Sequence, residues 1–432
     1  MKKVVILLCL FFLLGSVNGC RPNARTIRQL EKVDEMEEFQ DYSGFRTEDG
    51  RFYFTAMVEG EFNVYSIDIE TREVNQLFTQ IDQYDSFIPL QGLGAVYVDQ
   101  EGVLYYKNQG EEIIIDRDIS GFNGPNVIVS LNRDRVLYTK GDHQTSDLYL
   151  YIFQQGEPQM VVSNISQDAY KDFYFITQWA NNIDYFIFDK DVYNAEGQPL
   201  FSLEATTTKW APNDEFIAYI QMPENPDEKS IIIGDWTTYI GDKLVLFNLD
   251  TGEEKVILEN PDGLIDPIDS IQWNQDSSKV AIIEGEIILI ENVLERIDYQ
   301  QISVYDIKNS EIQKVEDINQ NFYEMLFNDY IYSKSLGTKN PLHIIPIDGG
   351  KRRSYEEPII LNNRSMFVIR REEIGYLIDG RRLIEITSNG KERQILELPW
   401  EPIAMFLEDK HQKLILINRN LEMFLYSTTS RS

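Results

Sequence analysis

Short strand-like runs separated by polar turns recur along this chain, and the recurrence limits the folds that it can adopt. In three copies a tryptophan precedes a polar turn and a second strand, at Trp179, Trp210 and Trp273. Weaker copies carry an apolar anchor at the same point, namely Phe45, Leu90, Leu131, Phe327, Ile369 and Phe406. The mean spacing of these nine anchors is about 45 residues, the length of a four-stranded propeller blade.

The runs between the turns are rich in Val, Ile, Tyr and Phe, which favour strands. No stretch has helical periodicity long enough to cover a parallel sheet, so βαβ architecture is disfavoured. The pattern predicts an all-β fold, a single β-propeller of four-stranded antiparallel blades, about eight in number within a range of seven to nine. We interpret the short interval between Trp179 and Trp210 as a miscounted repeat. A strand near Ile27 to Val33 is expected to complete the last blade and close the ring.

The best-defined repeat contains two motifs, Trp210-Ala-Pro-Asn-Asp214 and Leu249-Asp-Thr-Gly-Glu253. They resemble the turn and hairpin motifs of TolB-like β-propeller repeats, and the resemblance extends at the level of pattern over roughly residues 40 to 427. It implies a fold and not a function. A tryptophan at the same point of each repeat is expected to pack between adjacent blades rather than to bind a ligand. The acidic residues after it are expected to hydrogen-bond the turn backbone.

The N-terminus has the layout of a signal peptide, because Lys2 and Lys3 precede an apolar run, Val4 to Leu14, that is too short to span a bilayer. The segment Val17-Asn-Gly-Cys20 resembles a lipobox. This resemblance implies cleavage before Cys20 and a lipid on its thiol, which would hold the protein on the outer face of the bacterial cytoplasmic membrane or in the cell envelope. The open alternative is an ordinary secretory signal with a chance cysteine. The predicted organisation is a signal peptide, a lipidated cysteine with its tether, and a propeller, over residues 1–19, 20–40 and 41–432.

Charge and cysteine content narrow the function classes. The two cysteines are Cys9, in the signal peptide, and Cys20, so the mature domain is expected to contain no disulfide. With 40 basic and 71 acidic residues the formal charge is −31, and loss of two lysines with the signal peptide makes it −33. A surface this acidic repels both nucleic acid and anionic lipid. Nucleic acid is therefore not an expected partner, and membrane attachment is expected to depend on the lipid at Cys20. A basic stretch after this cysteine either lies against anionic lipid or is a solvated tether. It contains Arg21, Arg25, Arg28 and Lys32.

The sequence contains no recognisable motif for catalysis, metal binding or a cofactor. Its three histidines, His143, His343 and His411, fall in different repeats, and there is no His-Glu-x-x-His zinc motif. A Gly-x-Ser-x-Gly elbow, a phosphate-binding Gly-rich loop and a calcium loop are also absent from the sequence. The prediction is a protein without assigned catalytic residues, metal or cofactor.

Two neighbouring repeats carry insertions between their second and third strands, Met222 to Gly241 and Glu284 to Gln300. In a propeller such loops emerge on one face, so the two insertions are expected to stand side by side, and long loops on a rigid scaffold often bind ligands. Their aromatic residues either offer a surface to a sugar or a protein, or fold the insertion onto the propeller rim. The candidate ligand-binding residues are Asp235, Trp236, Tyr239, Glu291, Glu295 and Arg296.

Two functions remain open on these observations. The preferred one is a membrane-anchored extracytoplasmic lipoprotein whose propeller binds a protein partner or an envelope glycan without catalysis. The alternative is an extracellular glycan- or peptide-cleaving enzyme that uses carboxylates near the propeller channel. Release of products from glycan pools would distinguish the enzyme from the binding protein.

Overall fold

The structure is a computed structural model, and the residues that it describes fall into two compact units. Among the described residues, the central unit lies within residues 42–355, and the terminal unit lies within residues 30–39, 367–387 and 391–428. Cys9, Cys20 and the predicted signal peptide lie outside the described residues. The described residues are 30–39, 42–48, 50–58, 61–78, 87–90, 94–99, 101–108, 111–121, 126–142, 144–171, 173–233, 236–264, 271–316, 322–327, 330–335, 342–347, 353–355, 367–370, 374–387, 391–408 and 410–428.

Five sheets of the central unit are simple antiparallel meanders of four consecutive strands. Sheet β2–β5 contains Tyr42–Glu48, Arg51–Val58, Glu61–Asp68 and Val74–Phe78. Sheet β6–β9 contains Phe87–Pro89, Ala95–Val98, Leu104–Asn108 and Glu111–Asp116. Sheet β10–β13 contains Val127–Val129, Arg135–Gly141, Ser146–Ile152 and Pro158–Ile165. Sheet β14–β17 contains Thr177–Trp179, Phe186–Phe188, Asp191–Tyr193 and Pro199–Ser202. Sheet β28–β31 contains Phe322–Phe327, Tyr330–Ser335, Leu342–Pro346 and Arg353–Tyr355.

The two other sheets of this unit are elaborated by the predicted insertions. One sheet has the order β18-β19-β22-β23 and contains Ala205–Trp210, Phe216–Gln221, Gly241–Asn248 and Glu254–Leu264. The other contains β24 to β27, which are Ile271–Trp273, Lys279–Ile290, Val293–Asp306 and Glu311–Glu316, and it gains β20 and β21, which are Ser230–Ile233 and Trp236–Tyr239. Short helices α1 and α2, Gln167–Lys171 and Phe173–Ile176, precede β14, and a 3-10 turn, Pro226–Glu228, precedes β20.

The terminal unit contains two more four-stranded antiparallel sheets. Sheet β32–β35 contains Phe367–Arg370, Ile374–Asp379, Arg382–Thr387 and Glu392–Glu397. The last sheet has the order β1-β38-β37-β36 and contains Leu30–Lys32, Met423–Ser427, Lys413–Asn418 and Pro402–Glu408. A 3-10 turn, Asp34–Glu38, follows β1.

Apolar layers between successive sheets form the core. In one layer, Leu137 and Leu150 of sheet β10–β13 pack with Phe186 and Tyr193 of the next sheet. The other layers of the central unit also combine residues of two consecutive sheets. Successive sheets that bury their facing sides against each other are the blades of a propeller. The predicted fold class is confirmed, because the chain is all-β with the four-stranded antiparallel sheets of a β-propeller.

The predicted packing role of the repeated tryptophans is confirmed. Trp179 and Trp210 are buried in these layers, and Trp273 packs against the layer next to its own sheet. The indole N–H of Trp273 donates to the backbone carbonyl of Lys209, in the preceding sheet, at 3.3 Å. The tryptophans therefore hold neighbouring blades together.

Two details of the repeat assignment are corrected by the strand pairing. The described residues form nine sheets, one more than the preferred count and within the predicted range, because the interval between Trp179 and Trp210 holds the complete sheet β14–β17. Leu131, predicted as an anchor, is an exposed turn residue. The equivalent anchor is Val129, which is the buried last residue of β10, just as Trp179 is the buried last residue of β14.

The expected strand near the N-terminus is present and completes the last sheet. Leu30, Glu31 and Lys32 pair antiparallel with Tyr426, Leu425 and Phe424. Strand β1 therefore belongs to a four-stranded sheet, although it lies within the residues 20–40 that were predicted as the tether. Lys32, predicted as part of a basic tether, instead forms ion pairs with Glu37 at 2.6 Å and Glu422 at 2.7 Å.

Candidate functional site

The two predicted insertions meet and form one structure. The first contains the hairpin β20–β21, and the second extends β25 and β26 beyond Glu284. Ile232 of β20 pairs in parallel with Val293 of β26, and its backbone N–H donates to the carbonyl of Asn292 at 2.8 Å. These joined segments have the strand order β21-β20-β26-β25 and are termed the hairpin extension. The expectation that the two insertions stand side by side is confirmed.

A two-residue turn, Glu291-Asn292, ends the longer hairpin. Both residues have positive φ, 51° and 64°, as in the type I′ turns whose twist matches that of the paired strands. The strand that leads into the turn contains Ile287, Ile288 and Ile290, and β-branched residues favour extended backbone. Local sequence therefore accounts for a long, regular hairpin here.

A buried carboxylate anchors the base of the hairpin extension. Glu284 is buried at a bulge between β25 and β26. Its two oxygens accept hydrogen bonds from Gln301 Nε2 at 2.9 Å, from Asn260 Nδ2 at 3.0 Å and from the hydroxyl of Ser303. These donors offset the cost of removing the carboxylate from water. They also connect β25 and β26 to β23 of the neighbouring sheet.

Two glycines allow the shorter hairpin to leave its sheet. A Cβ atom at Gly241 would lie 2.4 Å from Ile220 Cγ2 and 2.5 Å from the carbonyl oxygen of Gln221. Gly263 has φ +102°, and a Cβ atom there would lie 2.3 Å from Ile240 Cγ2. The backbone at the end of the first insertion is therefore packed too closely for any side chain.

Three aliphatic side chains lie in a row across the end of the hairpin extension. Ile290 pairs directly with Val293, and Val293 pairs directly with Ile232, so the three side chains point to the same face. Their exposed fractions are 57%, 41% and 39%. On β21 the residue opposite Ile232 is the polar Thr237, so the aliphatic row ends there. Exposed apolar side chains that are contiguous in this way are typical of interaction surfaces.

Acidic side chains are exposed on the same hairpin as Ile290 and Val293. Glu286, Glu291 and Glu295 are exposed on β25, in the turn and on β26. Arg296 is also exposed, and its guanidinium lies 3.6 Å from the carboxylate of Glu295. The described charged residues from 286 to 296 therefore carry a net negative charge. A complementary surface would be apolar at its centre and basic at its edge.

The predicted ligand-binding residues have different positions in this structure. Glu291, Glu295 and Arg296 are exposed on the hairpin extension. Tyr239 is half-buried on β21, where it pairs with Ser230.

The other two predicted residues are described only in part. Trp236 pairs with Ile233 through its backbone, and its side chain lies outside the described part of the structure. Asp235 lies outside the described residues altogether. The structure therefore places Glu291, Glu295 and Arg296 on the same exposed hairpin as Ile290 and Val293, and it leaves the prediction for Asp235 and for the side chain of Trp236 as it stood.

Sequence reasoning missed the aliphatic row itself. Ile232, Ile290 and Val293 belong to apolar runs that read as ordinary strands. The sequence did contain a signal for this row. Both insertions carry apolar runs, and an insertion that projects beyond the blade has little core against which to bury them. The exposure of these residues becomes evident only when the strands are paired.

The described residues contain no group of three or more His, Cys, Asp or Glu placed to hold a metal ion. None of the helices in this part of the chain is long and apolar enough to cross a membrane. Among the three histidines, His411 is described in full, and its Nδ1 lies 3.1 Å from Glu408 Oε2.

No protein-family model and no curated protein matches this chain. Several solved structures are similar to it. A eukaryotic initiation factor has a TM-score of 0.48 and 13% identity, over 72% of this chain and 79% of that one. The protein Sqt1 of Saccharomyces cerevisiae has a TM-score of 0.42 and 11% identity, over 91% of this chain and 97% of that one.

The tricorn protease is also similar, with a TM-score of 0.34 and 11% identity, over 90% of this chain. This chain spans 42% of that protease chain. At these identities the similarities carry no information about activity, substrate or partner. The function must therefore be argued from the surface of this chain.

Proposed function

We propose that this chain is a membrane-anchored extracytoplasmic lipoprotein that acts as a binding module, and that the hairpin extension docks a protein partner. The observation that carries this proposal is the aliphatic row of Ile232, Ile290 and Val293, exposed at the end of a projecting hairpin. The acidic residues on the same hairpin favour a partner whose apolar groove has a basic edge.

The energy available from this row is sufficient for recognition but not for tight binding. Burial of the exposed parts of three aliphatic side chains contributes on the order of 3 kcal/mol. Most of the affinity must then come from backbone and charged contacts around the row, as is typical of a central apolar cluster with a polar rim. A membrane surface is a poorer match for the extension, because Glu286, Glu291 and Glu295 would face anionic headgroups.

The anchor in this proposal is the lipid on Cys20. Leu30, the first residue of β1, is ten residues after Cys20, so a short segment would link the lipid to the first strand. In full-length protein, Cys20→Ala is expected to move the chain from the membrane fraction to the soluble fraction. Retention of the variant in the membrane fraction, with the propeller folded, would refute this anchor.

The docking proposal is tested by site-specific photo-crosslinking in intact cells, with the crosslinker at Glu291. The matched control carries it at Glu157, an exposed turn residue between β12 and β13. We expect one protein to crosslink at Glu291 and not at Glu157. Crosslinking to glycan alone, or to the same proteins at both positions, would argue against a protein partner for this surface.

The captured protein is then purified, and its affinity is measured for the full chain in detergent. Changing Ile290→Ser together with Val293→Ser is expected to raise the Kd at least about tenfold. The control pair is Met160→Ser with Leu200→Ser, which changes exposed apolar residues of other sheets and is expected to leave the Kd unchanged. Equal effects of the two pairs would show that the hairpin extension does not carry the binding.

Glycan or peptide cleavage remains the alternative, and it has a separate test. Purified full-length chain is incubated with cell-wall material, soluble glycans and peptides, and the products are separated by chromatography. The binding proposal predicts no release above that of a heat-denatured sample. Release of defined fragments would favour the enzyme.

A further inference from the structure

A cavity of about 380 Å³ lies in the terminal unit, away from the insertions in sequence. The cavity is lined by residues at three connections between strands. These are the turn between β33 and β34, the segment between β35 and β36, and the turn between β37 and β38. Its volume is within the range of small-molecule sites and close to the lower limit. The lining residues are Arg381, Trp400, Glu401, Asn418, Arg419 and Asn420.

The aromatic wall of the cavity has a fixed orientation. Trp400 is half-buried, and its ring packs on that of Phe424 of β38, with centroids 4.7 Å apart and an interplanar angle of 41°. The contact with Phe424 supports one side of the indole. The indole also lines the cavity, where it presents a rigid, flat surface to a ligand.

Another part of the cavity lining is a turn that its own hydrogen bonds hold rigid. Asn418 is buried, and its Oδ1 accepts from the backbone N–H groups of Asn420 at 2.9 Å and Glu422 at 3.0 Å. Its Nδ2 donates to Glu422 Oε2 at 2.7 Å. Leu421 completes the turn with φ +61°. Arg419 and Asn420 are therefore presented from a backbone that has little freedom to move.

Two guanidinium groups lie at this cavity in a chain with a large excess of acidic residues. The side chains of Arg381 and Arg419 are 48% and 64% exposed. Arg419 donates to Glu401 Oε2 at 3.1 Å, and Arg381 lies 3.7 Å from Glu397 Oε1, beyond hydrogen-bond distance. A guanidinium carries five N–H donors, so both groups have donors to offer a ligand. The charged lining residues, two arginines and Glu401, sum to one positive charge.

We propose that this cavity binds a sugar that carries a carboxylate, such as a uronic acid. The guanidinium groups of Arg381 and Arg419 bind the carboxylate, a geometry for which arginine is well suited. The sugar ring packs on Trp400, while Asn420 and Glu401 bind its hydroxyl groups. Phosphate is a poorer fit, because it has no ring that could pack on the indole of Trp400. Its higher negative charge is also repelled more strongly by Glu401. This site is independent of the hairpin extension and of its protein partner.

The test is calorimetric titration of the full chain in detergent with glucuronate, glucose and inorganic phosphate. We expect glucuronate to bind at least about tenfold more tightly than glucose, because glucose lacks the charge-assisted bonds. Glucose binding as tightly as glucuronate, phosphate binding more tightly than either, or no binding of glucuronate at millimolar concentration would each overturn the proposal.

Variants locate the site on the protein. Changing Arg381→Gln together with Arg419→Gln is expected to weaken glucuronate binding at least about tenfold. The control is Arg393→Gln, because Arg393 is an exposed arginine of the same unit that pairs with Glu385 and does not line the cavity. Trp400→Leu should weaken glucuronate binding too, and a circular dichroism spectrum checks its fold. An equal loss in Arg393→Gln would place binding elsewhere.

Discussion

Asp214 and Asn181, in the turns of two successive sheets, are joined by hydrogen bonds. Asp214 Oδ1 accepts the backbone N–H of Asn181 at 2.6 Å and its side-chain Nδ2 at 3.0 Å, and Asp214 Oδ2 accepts the backbone N–H of Ile183 at 3.1 Å. On the other side, the N–H of Asn213 donates to the hydroxyl of Ser277 at 2.9 Å. The turns that follow the three tryptophans are thus joined in series, from one blade to the next.

Asp214→Ala is expected to destabilise the central unit by about 3 kcal/mol, because it leaves turn N–H groups of the preceding blade without a partner. Urea unfolding followed by circular dichroism measures the change. Asp250→Ala, at an exposed turn in the same sheet, is the control and should change stability by less than about 0.5 kcal/mol. A similar loss in both variants would mean that the bonds between the turns do not contribute.

Glu284→Ala is expected to loosen the base of the hairpin extension. The substitution leaves Gln301, Ser303 and Asn260 without their acceptor, at a cost of about 2–4 kcal/mol. Hydrogen exchange should accelerate in β25 and β26 near residue 284 more than in other sheets. Glu286→Ala changes an exposed carboxylate two residues along the same strand and should leave exchange unaltered. Unchanged exchange in Glu284→Ala would contradict the anchoring role.

Gly241→Ala is expected to displace the shorter hairpin, because the new Cβ would meet the backbone carbonyl of Gln221. Backbone must then shift, which costs about 1–3 kcal/mol, and binding through the hairpin extension should weaken with it. Gly252→Ala is the control, since a Cβ there meets no atom within 4 Å and the cost is that of its φ of +69° alone. Thermal unfolding and partner affinity of the two variants test this, and a larger effect at Gly252 would contradict it.

Acid is expected to weaken the attachment of β1. The hydrogen bond from Lys32 is the largest of the interactions that lower the pKa of Glu422 from its ordinary value of 4.5. Because the folded pKa lies below the unfolded one, this stabilisation is present above pH 4.5 and is lost as the pH falls through the folded value. The pair is exposed to solvent, so screening keeps this contribution small.

Glu422→Gln should therefore lower the free energy of unfolding at neutral pH and have little effect in strong acid. Hydrogen exchange of β1 and β38 at the two pH values measures this locally. Glu157→Gln, an exposed change in another sheet, should have no effect on that exchange at either pH. A difference between Glu422→Gln and the natural chain that persists in acid would show that the ion pair is not its cause.

The sequence by itself was sufficient to predict the blades, the strand that completes the last sheet and the neighbouring positions of the two insertions. Each of these follows from local patterns, which are period-two apolar runs, turn residues and the spacing of anchors. The anchor assigned to Leu131 instead of Val129 shows where such patterns fail. Residues two apart in a strand point to the same side, so a shift of two leaves the alternation unchanged.

Tertiary structure alone decided which apolar residues remain exposed and which distant polar residues share a cavity. Ile290 and Ile232 look like core residues in the sequence, and their exposure depends on pairing between two insertions that project beyond the blades. Arg381, Trp400 and Arg419 sit in separate connections and come together through the packing of two sheets. Local patterns specify strands and turns, because those depend on neighbouring residues. Surfaces and cavities depend on contacts between residues far apart in the chain, which no local pattern encodes.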